Sequence, residues 1–315
     1  MMYITLFIIV LLLLYIIIYL CFNFKDRFQT SFDSYIEGKH TTLIKKYKKK
    51  LMNNVYSSKF NKLPIYYINL DRSPDRKKFM EDQFKLYNLP FTRIKGVDGK
   101  TLNSKKGMIE KNLYYKNNYK VVDWKKNKNM NILGCTLSHL KAIITAYENG
   151  DEMALIFEDD TSLALCPFWK ENLQEQIKKL PKDWGAFNLA TNRKECMQSK
   201  QKILPFSKFK CCCCAAYIVN RKGMNDILRD LYTFDDNGGF ITLDKTNHRN
   251  SSVDHHLISD WFIYNRTNSY TYNDTPLFFQ YIIGNKSTIH RKNNKMMKSH
   301  RDFQNKQVFN KLSKI

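Results

Sequence analysis

The chain has 315 residues, 43% of them hydrophobic and 14% aromatic, which excludes disorder along its whole length and allows one large or two small domains. Its net charge of +23 is uneven: residues 1–60 carry +6 and residues 286–315 carry +8, so a uniformly basic nucleic-acid-binding body is not favoured. Eight cysteines, four of them consecutive, are too sparse for a disulfide scaffold.

The first element is a run of 20 uncharged positions, Tyr3 to Phe22. At about 1.5 Å per residue it spans roughly 30 Å, the thickness of a bilayer core. A cleaved signal peptide would show a basic start and a small-residue cleavage site, and neither is visible. Residues 1–24 are therefore expected to be one N-terminal transmembrane helix, an uncleaved single-pass anchor. Its orientation stays open. Lys25 and Arg27 behind the run favour a cytoplasmic body. Four N-x-Ser/Thr sequons, at Asn250, Asn265, Asn273 and Asn285, favour a lumenal one if they are used.

Residues 25–62 form a Lys-rich stem, including Lys45, Lys46, Lys48, Lys49 and Lys50. The folded body runs from 63 to 290, and residues 291–315 form a basic tail. Ile65 to Leu70 is a buried strand by its apolar and aromatic run. Ser73-Pro74 starts a helix that turns Met80, Phe84 and Tyr87 toward that strand. Phe91 to Ile94 is a second strand. Residues 100–130 carry nine Lys and two acids and read as a surface excursion. Leu137, Leu140, Ile144 and Tyr147 mark one helix face, stopped by Asn149-Gly150. Met153 to Phe157 is a fully apolar strand that runs into Glu158-Asp159-Asp160. A helix over 168–180, strands near 185–190 and 211–219, and a helix capped by Asn220 follow. Residues 233–251 read as a polar loop, Ser252 to Leu257 as the opening of a short helix, and Thr275 to Tyr281 as a last apolar run. Cys211 to Cys214 read as small buried strand residues. The alternation of strands and helices predicts an α/β fold with a mostly parallel central sheet.

In an open α/β sheet, ligands sit beyond the carboxyl ends of the strands. Glu158, Asp159 and Asp160 lie there. Three neighbouring carboxylates repel one another unless a cation intervenes, and a hard divalent ion suits carboxylate oxygen. Such an ion also takes phosphate oxygens and neutralises charge on a diphosphate leaving group. Carboxylates that merely open a helix are the plainer alternative.

Three stretches of the chain resemble glycosyltransferase family 25, the group of lipooligosaccharide and collagen galactosyltransferases. Tyr67-Ile68-Asn69-Leu70-Asp71-Arg72-Ser73-Pro74-Asp75-Arg76 is similar to the family's opening INL-x-R-x-x-DR. Gly134-Cys135-Thr136-Leu137-Ser138-His139 is similar to its GC-x-x-SH, and Leu155 to Asp160 to its hydrophobic-EDD. Weaker echoes extend to about residue 290. The resemblance implies a GT-A-like nucleotide-sugar-binding fold, a UDP-sugar donor, Mn²⁺ or Mg²⁺, and inverting transfer of a hexose, galactose or glucose, to a hydroxyl of a glycan or glycoprotein acceptor. It implies Glu158 and Asp160 as metal ligands, and Asn69, Arg72, Arg76, Ser138, His139 and Asp159 at the nucleotide sugar. Asp254 matches the family's later Asp and is the expected base, with a helix cap as its plainer role. His255, His256 and His290 are lesser candidates for metal or phosphate contacts.

Two other readings stay open at this point. One is a protein of the same fold that binds sugar nucleotide or glycan without turnover. The other is a membrane-tethered basic nucleic-acid binder, for which the chain has no recognisable module.

Overall fold

The structure is a computed structural model that describes residues 60, 62–101, 109–111, 118–121, 130–163, 166, 169–190, 196, 198–211, 213–235, 238–243, 259–273 and 278–280. The expected anchor, the basic tail, nearly all of the stem, and Asp254 with His255, His256 and His290 lie outside these residues. Among the described residues no helix is long and apolar enough to cross a membrane.

In chain order the elements are β1 (Ile65–Asn69), α1 (Pro74–Leu86), β2 (Thr92–Lys95), β3 (Ile109–Lys111), β4 (Asn118–Val121) and α2 (Met130–Glu148). Next come β5 (Met153–Glu158), β6 (Thr161–Ser162), α3 (Leu173–Ile177), β7 (Ala186–Asn188), β8 (Ile203–Pro205), α4 (Phe206–Phe209), β9 (Ala216–Asn220) and α5 (Arg221–Leu228). Then follow β10 (Tyr232–Asp235), β11 (Gly238–Leu243), α6 (Ser259–Arg266), β12 (Ser269–Tyr272) and β13 (Phe279–Gln280).

A seven-stranded sheet in the order β2-β1-β5-β9-β7-β12-β8 carries the fold. Strand β1 is buried throughout, so it can occupy the interior with apolar side chains on both faces. Tyr66 and Ile68 point into a core shared with Ala154, Ile156, Tyr217 and Val219, under α2, α5 and α6. Ile65 and Tyr67 point the other way, toward Leu155, Phe157, Phe187, Met80 and Phe84, under α1 and the segment around Trp169. Strand periodicity thus divides one short run between two cores.

The helices on the two faces follow local signals. Pro74 occupies the first turn of α1, where its missing N–H costs nothing. Gly150 ends α2 with φ +77, and the amides of Gly150 and Asp151 return to the carbonyls of Tyr147 and Ala146. The Asn220 side chain caps α5 by accepting from the Gly223 amide.

Several expectations are corrected. The sheet is mixed: β9 runs antiparallel to both β5 and β7, and β8 antiparallel to β12. The excursion at 100–130 contains β3 and β4, and the polar loop at 233–251 contains most of β10 and all of β11. These four strands pair in the order β10-β11-β4-β3. The helix expected over 168–180 is only α3, opened by a capping box of Asn172 and Glu175 and closed by turns at Lys179 and Leu180. Strand β9 begins at Ala216, so the cysteine run precedes it. Cys213 has φ +134, incompatible with a continuous strand, and Cys211 is bonded to Cys196.

Gly223 and Gly185 bring α5 against the start of β7. A Cβ on Gly223 would lie 2.1 Å from the Gly185 carbonyl oxygen, and backbone cannot swing away as a side chain could. Gly223→Ala should therefore cost about 1–3 kcal/mol through overpacking, a fall of roughly 2–10 °C in Tm. Thermal melting followed by circular dichroism checks this; an unchanged Tm would mean that the two backbones separate freely.

Candidate active site

Strands β1 and β5 lie side by side and parallel, with Ile68 opposite Glu158. Their carboxyl ends therefore deliver Asn69 and Glu158-Asp159-Asp160 to one place. The chain then turns into β6, where the Thr161 hydroxyl donates to the Ala215 carbonyl oxygen. Gln83 of α1 clasps this turn, donating to the Thr161 carbonyl and accepting from the Leu163 amide. The acidic motif is thus anchored on both sides by buried hydrogen bonds.

Asp159 is the buried centre of the cluster. It accepts from Asn69 Nδ2 at 2.8 Å and from the Arg76 guanidinium at 2.7 Å. The same Arg76 nitrogen stands 3.2 Å from Asp160 Oδ2. Burial alone would lower the pKa of Arg76, but Asp160 and Asp159 outweigh it and raise the pKa. Burial raises Asp159, with Arg76 and Asn69 acting against it. Burial also pushes Asp160 up to about 7, Arg76 opposing and Glu158 and Asp159 reinforcing.

Asn69 is saturated by protein. Its amide also donates to the Ser73 carbonyl, and its oxygen accepts from Arg93 at 2.9 and 3.1 Å. It joins β1, β2 and the start of α1 to the acidic motif. Arg72 pairs instead with Asp98, away from the three carboxylates of the motif. Ser138 donates to the Gly134 carbonyl and accepts from the Val97 amide, so it ties α2 to the loop after β2. Gly134 sits at that crossing because a Cβ would lie 2.6 Å from the Val97 carbonyl.

His139 is buried on α2, with Nε2 at 3.2 Å from Glu158 Oε1 and Nδ1 at 3.2 Å from the Tyr217 hydroxyl. Cys135, one turn earlier, directs its thiol to the same Glu158 oxygen at 3.9 Å. The structure therefore gathers Asn69, Arg76, Asp159 and Asp160 into one group and joins His139 to Glu158 beside it. Arg72 and Ser138 stand with other partners, and Asp254 lies outside the described residues. Arg93, Cys135 and Tyr217 are site residues that sequence reasoning missed. Cys135 lay inside a quoted motif, whereas Tyr217 comes from β9, and only the strand order brings it near.

The donor set suits a hard divalent cation. Asp160 Oδ1 is buried without a hydrogen-bond partner, and an oxygen so placed is a natural ligand for such an ion. Three acids against the single charge of Arg76 also leave room for two positive charges. Glu158 and Asp160 would hold the ion.

Two comparisons bear on this site. Residues 62–246 match the family described as Glycosyltransferase family 25 (LPS biosynthesis protein). Among curated proteins, a Glycosyltransferase 25 family member of Anopheles gambiae is 24% identical over 213 residues, covering 65% of this chain and 36% of that protein. One of Drosophila pseudoobscura pseudoobscura is 30% identical over 108 residues, 34% of this chain and 17% of its own length. One of Drosophila melanogaster is 28% identical over 126 residues, 40% and 20%. The aligned part of the chain thus spans about a third or less of each relative.

The raised pKa of Asp160 makes a stability prediction with a definite sign. The folded state holds this proton up to about pH 7, whereas an unfolded aspartate releases it near pH 4. The stabilisation is complete below about pH 4 and is lost as the pH rises toward 7. In chelator-treated protein, Asp160→Asn should match the native Tm at pH 4 and exceed it at pH 8. Parallel melting curves across that range would count against a proton held by this buried carboxylate.

Proposed function

We infer the function of this chain from kinship: it belongs to glycosyltransferase family 25. The reading supported best is a metal-dependent glycosyltransferase. It moves a hexose, galactose or glucose, from a UDP-sugar to a hydroxyl of a glycan or glycoprotein acceptor, with inversion at the anomeric carbon. Residues 3–22 anchor it in a membrane.

The observation that carries this reading is the acidic motif at the carboxyl end of β5, with Asp160 Oδ1 left without a partner. Mn²⁺ or Mg²⁺ held by Glu158 and Asp160 would supply positive charge to the departing diphosphate. Asp159 and Asn69 act on the protein side: they keep Arg76 beside the motif, where its guanidinium balances part of the carboxylate charge. His139 orients Glu158 through the hydrogen bond at Nε2. Asp254 takes the proton from the acceptor hydroxyl as it attacks the anomeric carbon.

The test is UDP release from a set of UDP-sugars by the full chain with Mn²⁺ or Mg²⁺. Release should stop in EDTA and return with Mn²⁺, and Asp160→Asn should abolish it while the protein stays folded. Full release in EDTA would refute the metal assignment. Asp254→Asn should lower kcat by about 10²–10⁴-fold with UDP affinity retained, since the general base is lost but the diphosphate contacts remain. A helix cap would instead tolerate Asn, so near-native turnover rejects Asp254 as the base.

A further inference from the structure

Cys135 and His139 stand four residues apart on α2, so both side chains leave the same face of the helix. Glu158 meets them from the end of β5. The thiol sulfur of Cys135, a ring nitrogen of His139 and a carboxylate oxygen of Glu158 all lie within 4.8 Å of one another. Sulfur, imidazole nitrogen and carboxylate oxygen make a donor set unlike the all-oxygen environment that Mn²⁺ and Mg²⁺ prefer.

We propose that Cys135, His139 and Glu158, through its Oε1 oxygen, form a binding site for a thiophilic divalent cation of the zinc class, with Glu158 bridging to the hard cation of the acidic motif. Zinc bonds of about 2.0–2.3 Å in a tetrahedron place neighbouring ligand atoms about 3.3–3.6 Å apart. The His139–Glu158 distance of 3.2 Å already matches, and the Cys135–Glu158 distance of 3.9 Å needs only a small side-chain adjustment. The second contact of His139 completes the argument. Its Nδ1 faces the Tyr217 hydroxyl oxygen at 3.2 Å. Metal binding takes Nε2 out of its hydrogen bond to Glu158, and the neutral ring then carries its proton on Nδ1, donated to that oxygen, the tautomer a metal-bound histidine requires. Three protein ligands leave a fourth position for water or a ligand oxygen. Cys135 and Glu158 are only half-buried, which gives the ion a way in, while His139 and Tyr217 close the inner side. Binding releases the thiol proton of Cys135 to solvent, and the thiolate balances part of the ion's charge.

The site stands on these side chains and not on the transfer reaction, so its test needs no substrate. Full-length protein is stripped with EDTA, freed of chelator and titrated with Co²⁺, which reports thiolate coordination by a near-ultraviolet charge-transfer band. One equivalent of Co²⁺ should saturate the band, and one equivalent of Zn²⁺ should bleach it. Cys135→Ser should remove it, because among the described thiols Cys135 is the one grouped with His139 and Glu158. Asp160→Asn should retain it, since that carboxylate belongs to the hard-cation set. The proposal is overturned if no thiolate band forms, if the band survives Cys135→Ser, or if it vanishes in a folded Asp160→Asn protein. The last result would place the ion in the acidic motif alone.

Discussion

Asp159 is a carboxylate taken almost wholly out of water, and the arrangement around it exists to meet that cost. Its two oxygens are matched by an amide from the end of β1 and a guanidinium from α1. The amide is in turn held by Arg93 of β2, so three neighbouring elements converge on one buried charge. Removing one partner from such a network commonly costs about 3–5 kcal/mol, because the remaining charge stays buried and unpaired. The ends of β1 and β5 cannot slide or splay without breaking it, and the rest of the site inherits its geometry from those two strand ends.

This arrangement separates the acids into different environments. Glu158 is turned toward α2, where His139 and Cys135 share one of its oxygens. Asp159 faces α1 and is consumed by structure. Asp160 shares Arg76 but keeps one oxygen unmatched. Successive residues diverge because Glu158 ends a strand while the next two form the turn into β6. Three identical charges in sequence thus become a histidine-linked group, a buried anchor and an unmet demand for positive charge.

Much of the scaffold was legible in the chain. The apolar runs at Ile65 and Met153, Pro74, Asn149-Gly150 and Asn220 each marked an element boundary through local chemistry. The placement of the acidic motif at a strand end followed from the same reading, and the resemblance of three motifs to glycosyltransferase family 25 agrees with the family match. What escaped was set by distant contacts. Strand direction depends on which elements pair, so the alternation of strands and helices pointed to a mostly parallel sheet and did not reveal that β9 runs antiparallel between β5 and β7. The strands of the small sheet lie in polar, Lys-rich or Asp-rich stretches whose composition resembles loops. Arg72 and Ser138 carry motif identities, yet their partners Asp98 and Val97 lie in an unremarkable turn. The pairing of Cys211 with Cys196 could not be read from a run of four like residues.

That disulfide has a further consequence for the margin of the large sheet. Cys196 and Cys211 bracket β8, the outermost strand beside β12, and close a loop of 15 residues around it. An open edge strand invites another chain to add to its ladder. Here the strand is only three residues long, ends in Pro205 with no amide to offer, and is tethered at both flanks. At the opposite margin β2 presents Arg93 and Lys95, charges that discourage a hydrophobic neighbour. Among the described residues the sheet is therefore terminated at both sides, protected from strand-by-strand growth into aggregates, and its open chemistry lies at the strand ends.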